Sequence, residues 1–211
     1  MNNIIALPML LPILAAIVLV FLRPYIKTQR IISLTVMLIN IGISLYLLQQ
    51  IQDNGILQLD FGGWKPPFGI LFVADSFSML LVLTSSIVTA ICFIYAFASV
   101  KKSYEHMFFY SFVNLLVAGV NGSFLTGDLF NLFVCFEIML LASYILVAFG
   151  GKKQQLRESV KYVIINVISS WIFLIAIGYL YGLMGSLNLA IWLPVETASV
   201  MLGGFPPVVL S

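Results

Sequence analysis

The sequence predicts an all-α polytopic membrane protein of about six transmembrane helices. Three observations carry this. First, 62% of the 211 residues are hydrophobic and only 9% are charged, with a mean hydropathy of +1.11; an ordinary soluble domain is excluded. Second, five apolar stretches of about 18 residues or more could each cross a hydrocarbon core about 30 Å thick, and a sixth follows Glu158. Third, the basic residues fall in alternate loops. Arg23, Lys27 and Arg30 share one, Lys101 and Lys102 the next but one, and Lys152, Lys153, Arg157 and Lys161 a third. The intervening loops hold only Lys65, with Asp53, Asp60 and Asp128. Basic loops stay cytoplasmic, so the N-terminus is expected outside and the number of spans even.

The first span is expected at Ile4 to Leu22. No Lys or Arg precedes it and no A-x-A site precedes Arg23, so it reads as a retained helix and not a cleaved signal. Pro8 and Pro12 are expected to kink it. The second span runs over Ile31 to Gln50. Asp53 to Ile70 follows, with Gly62-Gly63-Trp64-Lys65-Pro66-Pro67-Phe68-Gly69 at its centre. Glycine and proline forbid a continuous helix there, so a loop or hairpin is expected at the interface, with Trp64 and Phe68 at headgroup level. Asp75-Ser76 can cap the third span, Phe77 to Val100. The fourth is Met107 to Leu125, the fifth follows Asp128 to Phe149, and the sixth is Ser159 to Leu183. Pro194, Glu196, Gly203-Gly204 and Pro206-Pro207 interrupt what would be a seventh. The chain thus divides into residues 1–100, with three helices and an external loop at 53–70, residues 101–188, with helices four to six, and an atypical tail at 189–211.

The net charge of +2 is too small to suggest a nucleic-acid partner. The partner that composition demands is the lipid bilayer. Cys92 and Cys135 fall inside spans without metal-ligand spacing and read as buried packing thiols. No nucleophile elbow, P-loop, dinucleotide fingerprint or metal cluster appears, so the residues support neither a covalent enzymatic reaction nor a cofactor.

Glu137 is the leading functional candidate. It lies nine residues beyond Asp128, about 14 Å along a helix, and so near the bilayer midplane. A charge there costs about 2.5–3.5 kcal/mol on insertion scales, and such residues commonly serve ions or protons. Desolvation favours the neutral form, which suits a group that takes and gives a proton. The alternative is a protonated glutamate hydrogen-bonded to a neighbouring helix for packing. Lys161, at the start of the sixth span, is either a relay reached through water or a snorkelling anchor at the cytoplasmic surface; helix geometry leaves it too shallow to pair directly with Glu137. Asn166, Ser169, Ser170 and Trp171 on the sixth span, with Ser143 and Tyr144 on the fifth, could line a hydrated path or simply bond between helices. Asp75 and Asp128 read as helix caps, and His106 as a loop bystander.

Several segments resemble one family. These are Gly62-Gly63-Trp64-Lys65-Pro66-Pro67-Phe68-Gly69-Ile70, Val73-Ala74-Asp75, Gly127-Asp128-Leu129-Phe130-Asn131-Leu132-Phe133-Val134 through Glu137, Glu158-Ser159-Val160-Lys161-Tyr162, and Leu180-Tyr181-Gly182-Leu183-Met184-Gly185-Ser186-Leu187-Asn188. Together they look like the D subunit of Mrp-type multisubunit sodium/proton antiporters, which is similar to the proton-pumping membrane subunits of respiratory complex I. The resemblance covers roughly residues 1–190. It implies the N-terminal part of the antiporter-like fold, a bacterial plasma membrane, other membrane subunits of an Mrp-type complex as partners, and protons and Na+ as transported ions. It implies that Glu137 is the ion-path glutamate of the fifth helix. In the family this glutamate works with a lysine on a broken seventh helix, for which this chain offers no candidate. The family protein is longer, and the chain is expected to match its first half with a truncated tail after about residue 190. Two alternatives stand beside the antiporter: a proton-translocating subunit of an NADH:quinone oxidoreductase-like complex, and a non-transporting assembly fragment.

Overall fold

A computed structural model describes residues 3–61, 69–100 and 102–189. Its elements are a 3-10 turn at Asn3–Ala6, α1 (Leu7–Phe21), α2 (Ile26–Asn54), strands β1 (Leu57–Asp60) and β2 (Leu71–Ala74), α3 (Ser76–Ser99), the one-turn α4 (Lys102–Glu105), α5 (Phe109–Leu125), α6 (Leu129–Val147) and α7 (Lys153–Met184). Among the described residues five helical stretches are long and apolar enough to cross a membrane. The other expected span is α5, which at 17 residues rises about 25 Å and sits at the packed centre, against α1, α2, α3 and α6. The chain is a multi-pass membrane protein.

Two helices are longer at their basic ends than the apolar runs suggest. α2 starts at Ile26 and takes Lys27 and Arg30 into the helix. α7 starts at Lys153 and spans 32 residues, about 48 Å, well beyond the hydrocarbon core. Charged first turns need no lipid, so the helix continues into the polar zone.

The region expected to be loop or hairpin contains a hairpin, which adds a small sheet to an otherwise helical fold. β1 and β2 pair antiparallel from Leu57↔Ala74 to Asp60↔Leu71. Alternation explains it: Leu57 and Leu59 point inward and Gln58 outward. The inward residues join Phe72, Ala74, Ile5, Met79 and Leu125 in an apolar cluster that closes this end of the bundle. Gly127 N donates to Leu71 O at 2.9 Å, fastening the hairpin to the turn before α6. Trp64 and Phe68, the expected interfacial anchors, lie outside the described residues, as does the tail after Leu189.

Caps set two helix starts. Asp75 Oδ1 accepts from Ser78 N at 2.8 Å while Ser78 Oγ accepts from Asp75 N, a reciprocal capping box. Asp128 Oδ1 accepts from Asn131 N at 2.9 Å. Both aspartates are the caps the sequence suggested.

At the opposite end Arg30 donates twice to Glu105 Oε1, at 2.9 and 2.7 Å, and Tyr110 OH donates to the same oxygen. Glu105 is fully buried. Arg23 donates to the His106 carbonyl at 3.2 Å and stacks its guanidinium 5.0 Å from the Phe108 ring centre. These contacts hold Phe108 at φ 66°, a left-handed conformation that costs a non-glycine residue about 1–2 kcal/mol. His106 itself is exposed in the turn.

α5 and α6 touch through glycine. A Cβ at Gly119 would stand 2.8 Å from Cys135 O and 2.9 Å from Met139 N, and one at Gly122 would stand 2.7 Å from Cys135 Sγ. Small residues let backbones approach where lipid supplies no hydrophobic drive between helices. Cys135 is buried in this seam, but Cys92 is exposed on α3, so the expectation of two buried thiols holds only for Cys135. The outward face of α3 meets lipid, which accepts a thiol as readily as the core does.

Candidate functional site

α6 uses two faces. One, with Cys135 and Met139, is pressed on the α5 backbone. The other faces α7. Phe133 meets Phe173 with ring centres 6.1 Å apart, and Tyr144 meets Tyr162 edge-on at 5.4 Å. Both pairs fit one antiparallel register, in which each step forward along α6 is one step back along α7. That register sets Glu137 level with Ser169 and Ser170, and Asn166 level with Leu140. The α6 start is also tied to the α7 end: Leu129 N donates to Leu187 O and Leu189 N to Gly127 O, each at 3.0 Å.

On α7 the less exposed residues recur at spacings of three and four: Ser159, Val163, Asn166, Ser170, Phe173 and Ile177. This is the helical stripe that meets α6. The rest of α7 is open, with Trp171 69% exposed. The structure therefore sorts the polar candidates. Asn166 and Ser170 face the seam. Ser169 and Trp171 face away, and Ser169 Oγ donates to its own helix at Ile165 O. Ser143 Oγ does likewise to Leu140 O. Tyr144 lies against Tyr162 and within electrostatic reach of Glu137, beside Asn166.

Glu137 is half-buried at the middle of this seam, between the two aromatic pairs. Its Oε1 is buried and has no hydrogen-bond partner; Asn166 Nδ2 is buried and unpartnered as well. One is an acceptor and the other a donor, about one helical turn apart in level, and Asn166 lies against the Tyr144 hydroxyl. Such an arrangement can hold a proton or a water next to an acid. It cannot do covalent chemistry.

Lys161 is not part of this group. Its Nζ is held by Glu158 at 2.9 and 3.0 Å on an exposed i,i+3 face, off the stripe that meets α6. It stands level with Ile145, about 12 Å along the axis from the level of Glu137.

Sequence reasoning missed two polar clusters. Glu105, which is buried beneath Arg30 and Tyr110, was not singled out from the sequence. Asn40 and Asn121 both donate to Pro8 O, at 3.2 and 3.0 Å. The signal was available: Gln29, Ser33, Asn40 and Ser44 fall on one face of α2, and that face is buried.

Residues 126–203 match the family described as NADH:quinone oxidoreductase/Mrp antiporter, TM. The D subunit of the Na(+)/H(+) antiporter of Bacillus subtilis (strain 168) is 48% identical over 190 residues, 90% of this chain and 38% of that protein. Its counterpart from Alkalihalophilus pseudofirmus is 46% identical over the same shares. The chain thus spans about two-fifths of the length of these relatives. Among solved structures, the Mrp complex from Dietzia sp. matches with a TM-score of 0.82 and 30% identity, over 96% of this chain and 39% of that one. An archaeal membrane-bound sulfane sulfur reductase matches with a TM-score of 0.81 and 28% identity, over 92% and 41%. The seam between α6 and α7, the cap that starts it and the helices behind it are features of a fold shared with these proteins, and over 90% of its length the chain is similar to Mrp-type antiporter D subunits.

Proposed function

We propose that the chain is part of a membrane subunit of a multisubunit Na+/H+ antiporter, with Glu137 relaying a proton or ion at the midplane. The observation that carries the reading is the Glu137 carboxyl, set in the seam between α6 and α7 with Oε1 buried and unpartnered. No ion pair or hydrogen bond to protein holds this oxygen among the described residues, and unpaired acids within spans commonly serve ions or protons. The names of the relatives supply the transported ions and the expectation of further membrane subunits. The basic end of the bundle is then cytoplasmic, the hairpin end is outside, and the membrane is a bacterial plasma membrane. Lys161, in its exposed pair with Glu158, serves as the anchor of α7 at the cytoplasmic surface, not as the partner of Glu137.

The test is Glu137→Gln in the intact complex, reconstituted in proteoliposomes. Sodium-dependent proton movement should be lost while the complex still assembles. Unchanged transport would remove Glu137 from the path.

A second reading is favoured by the match to a respiratory membrane complex at nearly the same TM-score. In that reading the same acid belongs to a proton pump driven by an oxidoreductase. Co-purification with flavin and iron–sulfur subunits selects it; companion membrane subunits alone select the antiporter.

A further inference from the structure

Nine buried side-chain atoms among the described residues lack a hydrogen-bond partner, and seven of them lie away from Glu137, on α2, α5 and the α4 turn that joins them to one end. They are not a random set. Five are carbonyl or carboxylate oxygens, which can only accept.

At one level Pro12 explains the chemistry. Proline lacks the N–H that would bond the carbonyl four residues back, so Pro8 O is free inside α1. Asn40 and Asn121 both point their Nδ2 groups at it. That carbonyl can only accept, which fixes both amides with Nδ2 toward it. Their Oδ1 atoms therefore turn away, fully buried and unpartnered. Ser44 Oγ, one turn along the same buried face of α2, is also unpartnered. At the other level, Glu105 uses Oε1 for Arg30 and Tyr110 and leaves Oε2 unbonded. Asn114 donates to Ser33 Oγ and Tyr110 O and leaves Oδ1 unbonded.

We propose that the interior between α1, α2 and α5 is a hydrated column of two water pockets, separate from the Glu137 seam, which an apolar layer of Met37 and Val117 keeps from joining. A buried polar group without a partner costs about 1–3 kcal/mol, so the five acceptors and two hydroxyls together would cost as much as a whole domain's stability. Water supplies the missing donors and needs only two to four polar partners. A cation fits less well. The pocket at Asn40 and Asn121 has no carboxylate, and the carboxylate of the other is already paired with Arg30.

The layer is a short one. From Ser33 to Asn40 is seven residues of α2, about 10 Å. Met37 lies between them, fully buried, in one apolar cluster with Val117, which stands four residues before Asn121 on α5. An apolar constriction of this kind excludes water. On the far side the cluster with Leu47 and Leu125 closes the second pocket. The column is therefore wet at two levels and insulating between them.

Two measurements test this on the intact protein in bilayers, with its co-purifying subunits. Water-to-protein magnetisation transfer in solid-state NMR should reach the Asn40 and Asn121 side-chain amides. Amides there that stay dry while those of exposed Gln52 and Asn54 are wet overturn the proposal. In proteoliposomes, Met37→Asn should raise the passive proton leak severalfold, and Met37→Leu should not. The leak should persist when Glu137→Gln is added. A folded Met37→Asn protein with no added leak overturns the barrier, and a leak abolished by Glu137→Gln overturns the separation of the two systems. If Met37→Asn does not fold, the NMR result on the unaltered chain decides.

Discussion

Replacing Gly119 with alanine drives a methyl group into the backbone of α6. The new Cβ would stand 2.8 Å from Cys135 O and 2.9 Å from Met139 N, where ordinary contact begins at 3.4 Å. Neither atom can rotate away, so α5 and α6 must part by about 0.5 Å over a seam that interiors of this density do not give up freely. Overpacking costs about 1–3 kcal/mol. Alanine returns about 0.5–1 kcal/mol through its better helix propensity. The net expectation for Gly119→Ala is a loss of about 1–2 kcal/mol. Gly42, inside α2, has nothing within 4 Å of its would-be Cβ, so the same substitution there keeps only the propensity gain. Gly122 falls between, because the atoms met, Cys135 Sγ at 2.7 Å and Met9 Sδ at 3.0 Å, belong to side chains that can shift. Unfolding in a detergent titration should therefore rank Gly42→Ala above the unaltered chain, then Gly122→Ala, then Gly119→Ala. A Gly119→Ala protein as stable as the unaltered one would refute the close backbone seam.

Three other substitutions separate strong contacts from weak ones. Asp75→Ala removes the acceptor for Ser78 N and should cost about 1 kcal/mol in the same titration, with Asp75→Asn recovering most of it. Glu105→Ala strands Arg30 and Tyr110 and should cost about 3 kcal/mol, the low end for a buried pair, since the Arg30 side chain stays 28% exposed. The double variant with Arg30→Met should lose less than the two single losses added, which a double-mutant cycle reads directly. Lys161→Ala breaks an exposed pair and should change stability by no more than about 0.5 kcal/mol; a larger loss would mean that Lys161 has a partner beyond Glu158.

The spans were legible because length and hydropathy alone define them. Helix faces were harder to read, and α7 shows why. Nearly every residue from Val163 to Leu183 is apolar, so no polar side marks the lipid face, and Ser169 and Trp171 looked equivalent to Asn166 and Ser170. Only the contacts with Phe133 and Tyr144 tell them apart. The hairpin was open to doubt because each strand has four residues, too few for alternation to stand out. Glu105 was invisible for another reason: nothing local shows that Arg30, 75 residues away, will meet it. α2 is the converse case. Its polar residues at helical spacing were a readable sign of a polar interior, because a lipid-facing stripe would not carry them.

The two polar systems differ in what fixes them. In the bundle interior, Asn40, Asn121 and Asn114 each have a firm bond to protein, so the residues are held whether or not water is there. Glu137 has no such bond on its buried oxygen. It is fixed instead through its helix: the opposite side of α6 is locked on the α5 backbone at Gly119, and the start of α6 is capped by Asp128 and tied to the end of α7. The backbone is rigid and the carboxyl is left unsatisfied. A group meant only for packing would be built the other way, with the side chain bonded and the backbone free to adjust. Placing an unbonded acid on a rigid element keeps its depth in the bilayer constant, which is the geometry that the proposed relay requires of Glu137.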